Sequence, residues 1–360
     1  MTYFVRRLLR NSDYLDQFNI YDTYDSTKYI QRIANTTELF QDGINAKDVS
    51  NIPIDPKITS IYFMGMGGSG IGGDVFIDLI KGQLKIPIET IKTWDIPNSI
   101  NENTLVLICS YSGNTEETIK MFNDSINKKA SVIIISQGGD LTNIAKQQKI
   151  PLIKIPNILE PRSSLTFVLG ALIAVFSKNN LIDINNDQIN DCLSINKSLI
   201  DGLQKQIPSS QNLAKNIATK IINTLPIIIS ADYLSSTANR WRTQLNENSK
   251  TIALTDNLPE MFHNSIEGYE SKVFRQTNPY FILLTSNLYP ELVIKKFNQL
   301  KSLLKEHNLP YREINAVGNN KLSHLFSLLT LGDYISYYLA IANKIDPHHN
   351  PIITNSKSNI

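Results

Sequence analysis

Two short stretches combine the residue types that hold an anion. The first, "MGMGGSGIGGD" (64–74), follows the apolar run "ITSIYF" and precedes "VFIDLI", so its glycines lie between a predicted strand and a predicted helix. Such a turn aims backbone N–H groups and a helix N-terminus at negative charge. Gly65, Gly67 and Gly70 satisfy G-x-G-x-x-G, and Glu89 lies roughly 20 residues on, where the ribose-binding acid of a dinucleotide site belongs. A nicotinamide cofactor is therefore the first candidate. The second stretch, "SYSGNTEET" (110–118), follows "TLVLIC" and sets Ser110, Ser112 and Thr115 around Gly113 and Asn114, before a helix predicted from near Glu116. Hydroxyl donors, backbone amides and a helix dipole at one point suit a compact phosphate monoester. A dinucleotide needs no such hydroxyl cluster. Each stretch alone has a plainer reading, because a lone G-x-G-x-x-G is weak and a Ser or Thr before a helix usually only caps it. Two such turns at adjacent strand ends are harder to dismiss.

A sheet is needed to bring these turns together. Apolar runs recur as "SIYFMG", "PIETI", "TLVLICS", "SVIIIS" and "PLIKIP", then as "LPIIISA", "TIALT", "YFILLTS" and "YREINA", with helical patterns between them. Strands alternating with helices predict parallel sheets covered on both faces, and hence an α/β class. A mainly helical stretch over about 161–222 separates two clusters of strands. "SIYFMGMGGSGIGGDVF" and "PIIISADYLSSTANRWR" echo each other as strand, small-residue turn and helix, predicting two similar doubly wound units with ligand crevices at their C-terminal strand ends. The predicted division is an N-terminal helical segment (1–50), a first α/β domain (51–178), a helical connection (179–222), a second α/β domain (223–345) and a C-terminal tail (346–360).

Composition narrows the class of partner. The 360 residues are 42% hydrophobic and 19% charged, with a net charge of +2 and no long basic block, which gives no reason to expect nucleic acid. The apolar stretch "FVLGALIAVF", from Phe167, is about half of what a bilayer crossing needs, so no membrane partner is expected. The start, "MTYFVRRLLRNSDYLDQF", reads as an ordinary helix or an over-extended start rather than a targeting peptide, since Asp13 and Asp16 follow the arginines at once. Cys109 and Cys192 are too few for a disulfide framework, and a cytoplasmic location is expected.

The stretches "GMGGSGIGGD", "SYSGNTEET", "EPRSSL", "NENSK" and "FHNSIEG", in that order, resemble the bifunctional phosphoglucose/phosphomannose isomerases of the sugar isomerase (SIS) superfamily, from about Asn19 to the C-terminus. The resemblance implies two SIS domains, each a parallel sheet flanked by helices in a flavodoxin-like arrangement. It also implies a homodimer with its active site near the subunit interface, a sugar-phosphate substrate, and neither cofactor nor metal. Its phosphate site falls on Gly67, Gly68, Ser69, Ser110, Ser112 and Thr115, and the match of Glu89 to a dinucleotide pattern becomes a coincidence.

Aldose–ketose interconversion moves a proton between C2 and C1 through an enediolate. It needs a base near pH 7, a group to open the sugar ring, and positive charge beside the developing oxyanion. Glu247, in "RWRTQLNENSK", shares a predicted helical face with Arg240 and Gln244, spaced by four and three. A solvated helix-end glutamate is the plainer reading, whereas the family pattern N-E-x-x-K makes it the base. That role requires surroundings that lift its pKa from about 4.3 toward neutrality. His263, in "EMFHNSIEGYE", is by its setting a core histidine as readily as a catalytic one; the resemblance makes it the ring opener, reaching across from the other subunit. Arg162, in "LEPRSSLTF", sits at a predicted helix start where the dipole disfavours a cation, and the family's P-R motif sets it beside the enediolate. Lys357 lies ten residues beyond Asp346-Pro347, as in related proteins, where the resemblance puts it near the sugar hydroxyls; its polar surroundings also suit a frayed tail. The alternatives are another SIS enzyme acting on a pentose or aminosugar phosphate, and a non-catalytic sugar-phosphate sensor, whose usual helix-turn-helix is not evident before the first strand. A zinc-dependent isomerase is disfavoured because His348-His349 is the only histidine cluster. The second unit's turn, "SADYLSSTANR", has hydroxyls but no glycines, so one phosphate pocket per subunit is expected.

Overall fold

The computed structural model describes residues 14–158 and 160–358, so the arginine-rich start, 1–13, lies outside the described residues. The described chain begins with α1 (Asn19–Tyr24) and α2 (Tyr29–Ala34) and then enters a first compact unit, Asn35–Asn185. There the elements run α3 (Thr36–Ile44), β1 (Ser60–Met64), α4 (Gly67–Ile80), β2 (Ile88–Ile91), β3 (Thr104–Ser110), α5 (Glu116–Asn127), β4 (Ser131–Ser136), α6 (Gly139–Gln148), β5 (Leu152–Lys154) and α7 (Leu165–Lys178). A second unit takes in α1 and α2 together with the chain from Asn186. It holds α8 (Asn186–Leu203), α9 (Leu213–Lys220), β6 (Leu225–Ala231), α10 (Ser235–Ser249), β7 (Leu254–Leu258), α11 (Ser265–Gly268), α12 (Lys272–Gln276), β8 (Pro279–Thr285), α13 (Glu291–Glu306), β9 (Tyr311–Asn315), α14 (Lys321–Ala342) and α15 (Pro351–Ser358).

Both sheets are parallel, ordered β2-β1-β3-β4-β5 and β7-β6-β8-β9, so the echo in sequence is an echo in topology. All of β3 is buried, as expected of an apolar run covered on both faces. On one face Met64, Val106, Ile108 and Ile134 pack with Met121 and Phe122 of α5 and with Leu141 and Ala145 of α6. The register pairs Ser60 with Thr104 and Met64 with Ile108, which brings the turn after β1 beside the turn after β3. Strand order reverses there, at the place where doubly wound sheets take their ligands.

One strand is displaced from its expected position. The run "TIALT" begins at Thr251, but β7 starts at Leu254. The intervening residues close the preceding helix: Thr251 N–H donates to Leu245 O (3.1 Å) and Ala253 N–H to Asn246 Oδ1 (3.2 Å). In the second unit α14 is buried along nearly all its length, packed against α8, α9 and α10. By length and composition it could cross a membrane, yet its side chains are enclosed by protein.

Candidate functional site

In the first unit the glycines do two different jobs. Gly67 has φ +49° and opens α4 with space where a side chain would be, whereas a Cβ on Gly70 would lie 2.3 Å from Gly65 O. The G-x-G-x-x-G spacing is thus satisfied by the packing of α4 against the end of β1. Glu89 is exposed and within β2, two residues short of its end. Lys92, just past that end, is ion-paired with Asp74 of α4. A lysine therefore stands where a ribose-binding acid is wanted.

The two turns are bonded to each other. Ser69, in the first turn of α4 and nearly buried, accepts the Tyr111 N–H through its hydroxyl (3.1 Å). Burial pushes the neighbouring Cys109 thiol up to about 12, against a hydrogen bond with Ser69 that favours the thiolate, so this cysteine is inert at neutral pH. Ser110 Oγ donates to Thr115 Oγ1 (3.2 Å) and accepts Gly113 N–H (3.2 Å); Ser112 Oγ lies 3.5 Å from Thr115 Oγ1 and accepts Asn114 N–H (3.2 Å). Thr115 stands at the N-cap of α5 but makes no capping bond with its side chain, which turns to the two serines instead. Three hydroxyls thus converge beside the N-termini of α4 and α5, the arrangement a phosphate monoester needs.

Arg162 joins this cluster through its backbone. It lies in a 3-10 turn, Pro161–Ser164, before α7, and a Cβ on Gly68 would come within 3.0 Å of its backbone nitrogen. The side chain is not a surface arginine: the residue is 5% exposed. Gly67, Gly68, Ser69, Ser110, Ser112, Thr115 and Arg162 therefore stand together in the first unit.

Glu247, His263 and Lys357 belong to the second unit. Glu247 is half-buried in the last turn of α10, and its backbone carbonyl accepts from Lys250 Nζ. The face it was expected to share is bonded to α14: Arg240 pairs with Asp333 (3.3 Å), and Gln244 Nε2 donates to Asp333 Oδ1 (2.8 Å). One residue past Glu247, Asn248 Nδ2 donates to Ser336 Oγ (2.9 Å). Asp333 was missed in the sequence; its signal is a lone acid inside a long apolar helix. His263 ends a 3-10 turn, Glu260–His263, and is exposed, so it is not a core histidine. Lys357 falls in α15, a helix where a frayed tail was the alternative; its side chain lies outside the described residues. Lys250 Nζ also donates to Asn350 Oδ1 (2.8 Å), tying the end of α10 to the start of α15.

The core histidine is His324. Its Nε2 donates to Gly318 O (3.0 Å), which leaves Nδ1 to accept from one hydroxyl of the pair Ser286 Oγ (2.9 Å) and Tyr233 OH (3.1 Å), which are hydrogen-bonded to each other at 2.6 Å. These three side chains fill the ends of β6 and β8, the counterpart of the hydroxyl-lined crevice in the first unit. Among the described residues no group of three or more His, Cys, Asp and Glu could hold a metal ion.

Residues 210–360 match the bacterial phospho-glucose isomerase C-terminal SIS domain. The chain is 33% identical over 301 residues to the bifunctional phosphoglucose/phosphomannose isomerase of Caldicellulosiruptor bescii, covering 82% of this chain and 89% of that protein. It is 30% identical over 248 residues to the D-glucosamine-6-phosphate 4-epimerase of Sulfolobus acidocaldarius, covering 68% of this chain and 74% of that protein. In fold it is similar to a hypothetical protein of Thermus thermophilus, with a TM-score of 0.77 at 13% identity, covering 99% of this chain and 96% of that one. With this identity over most of both chains, the protein belongs to the bifunctional phosphoglucose/phosphomannose isomerase family.

Proposed function

We propose that the protein interconverts glucose 6-phosphate and mannose 6-phosphate with fructose 6-phosphate by proton transfer through an enediolate. The observation that carries this reading is the hydroxyl cluster of Ser110, Ser112 and Thr115, bonded to one another and linked through Tyr111 N–H to Ser69, in a member of this family. The cluster, with the amides of Gly67 and Gly68, takes the phosphate. His263 opens the ring, Glu247 carries the proton between C2 and C1, and Arg162, whose guanidinium keeps its proton, stabilises the enediolate. Lys357 meets the sugar hydroxyls. Rotation about C2–C3 presents either face of C2 to one base, so both aldose phosphates share a site.

The exposure of His263 supports a role in a neighbouring subunit's site, and hence a homodimer. Both cysteines are free and buried, which supports a cytoplasmic location. Neither nucleic acid nor membrane enters this reading. Incubation with fructose 6-phosphate yields both aldose phosphates if it is right, one if the enzyme is monofunctional, and none if the protein is a sensor. The likeness to a D-glucosamine-6-phosphate 4-epimerase favours a second reading, action on an aminosugar phosphate. Turnover of glucosamine 6-phosphate in place of fructose 6-phosphate would select it.

A further inference from the structure

The hydroxyl-bearing turn after β3 is held from outside by the turn after β4. Gln137 N–H donates to Tyr111 O (3.1 Å), Leu141 N–H to Gly113 O (3.1 Å) and Asp140 N–H to Asn114 Oδ1 (2.8 Å). The approach is too close for a Cβ on either side. Gly113, at φ +72°, would place one 1.8 Å from Gly138 O; Gly139, at φ +66°, would place one 2.3 Å from both Asn114 Oδ1 and Ser112 O. Ser136 Oγ fixes the outer turn by donating to Gly138 O (3.0 Å).

The donors in this clamp have a particular origin. Asp140 and Leu141 lie in the first turn of α6, where backbone N–H groups have no partner within their own helix. Here those N–H groups bond the Gly113 carbonyl and the Asn114 side-chain oxygen. Two oxygen atoms that would repel an anion are thereby engaged by α6, and hydrogen bonding at the oxygen of a peptide strengthens its N–H as a donor. The positive end of a third helix thus acts on the turn, after those of α4 and α5.

We propose that Asn114 and Gly139 are positioning residues for the substrate phosphate: the clamp between them sets the spacing of the Ser110, Ser112 and Thr115 hydroxyls that bind it. Neither residue touches the phosphate. The inference rests on the phosphate site proposed above, and it deepens that reading by naming what holds the site in shape.

The test compares Asn114→Ala, Gly139→Ala and Ser112→Ala, measuring kcat and KM for fructose 6-phosphate and the inhibition constant of inorganic phosphate. Asn114 is exposed, so its replacement leaves the fold intact even if Gly139→Ala does not. The expected result for Asn114→Ala is a rise of roughly three- to tenfold in both KM and the phosphate inhibition constant, the scale of one displaced hydrogen bond, with a smaller change in kcat. A role confined to stability would lower the melting temperature and leave the phosphate constant unmoved, and that result overturns the inference. If Ser112→Ala weakens phosphate while Asn114→Ala does not, the inference fails and the phosphate site stands. If Ser112→Ala leaves phosphate unaffected, the site itself is misassigned and the inference falls with it.

Discussion

Gly67 and Gly70, three residues apart, are glycines for different reasons, and substitution separates them. Gly67→Ala meets open space and costs only the left-handed backbone, about 1–2 kcal/mol. Gly70→Ala drives a methyl into the Gly65 carbonyl, so α4 must shift and the loss of stability is larger. Denaturant unfolding of the two variants measures the difference, and equal losses would contradict it. This contrast also marks how far the sequence is legible at the scale of residues. The hydroxyls of "SYSGNT" announce an anion site because donors are written in residue types. The G-x-G-x-x-G spacing misleads as a dinucleotide signature, because its Gly65 and Gly70 record the closeness of two backbones and not a nucleotide. The partner of Asn114 is the amide of Asp140, 26 residues on, and nothing local in either segment points to the other.

At the scale of elements, α10 is fastened to α14 by Arg240 and Gln244 on Asp333 and by Asn248 on Ser336, which fixes the rotation of the helix that carries Glu247. Helical periodicity gave the shared face of Arg240, Gln244 and Glu247. It could not tell that the first two spend their polar atoms on a partly buried acid, since that depends on which helix lies opposite. The start of β7 was likewise hidden, because the cap that delays it uses Leu245 and Asn246 of the preceding helix. The same helix α14 carries His324, whose imidazole burial holds below its usual 6.5, against the opposing pull of the Gly318 carbonyl and Asp191. The unfolded chain therefore takes up this proton first as pH falls. Stability from the neutral histidine is complete above about pH 6.5 and is lost as pH drops through that value toward the folded pKa. Urea midpoints of the wild type are expected to fall between about pH 7.5 and 5.5, and those of His324→Asn to fall less. Equal slopes would contradict the assignment.

Across the whole molecule, the two sheets share one strand order, and this was visible as a repeated pattern of strand, small-residue turn and helix. The membership of α1 and α2 in the second unit was not visible. They are held there by a contact distant in sequence: Asp25, which accepts the nearby amides of Tyr29 and Ile30 at the start of α2, also accepts the hydroxyl of Tyr337, 312 residues away. The proposed dimer, with His263 serving a neighbouring subunit's site, makes a prediction at this scale. Glu247→Gln and His263→Ala chains are each inactive, yet unfolding and refolding an equal mixture restores about a quarter of wild-type activity, because half the dimers are mixed and each holds one intact site. If both residues came from one chain, mixing would restore nothing. In the proposed mechanism Glu247 carries the proton. Fructose 6-phosphate incubated in heavy water with the wild-type protein should gain deuterium at carbon. With Glu247→Gln, isotope uptake and isomerisation should both fall by roughly 10²–10⁴-fold while inorganic phosphate binds as before. Wild-type isotope uptake by Glu247→Gln would contradict the account.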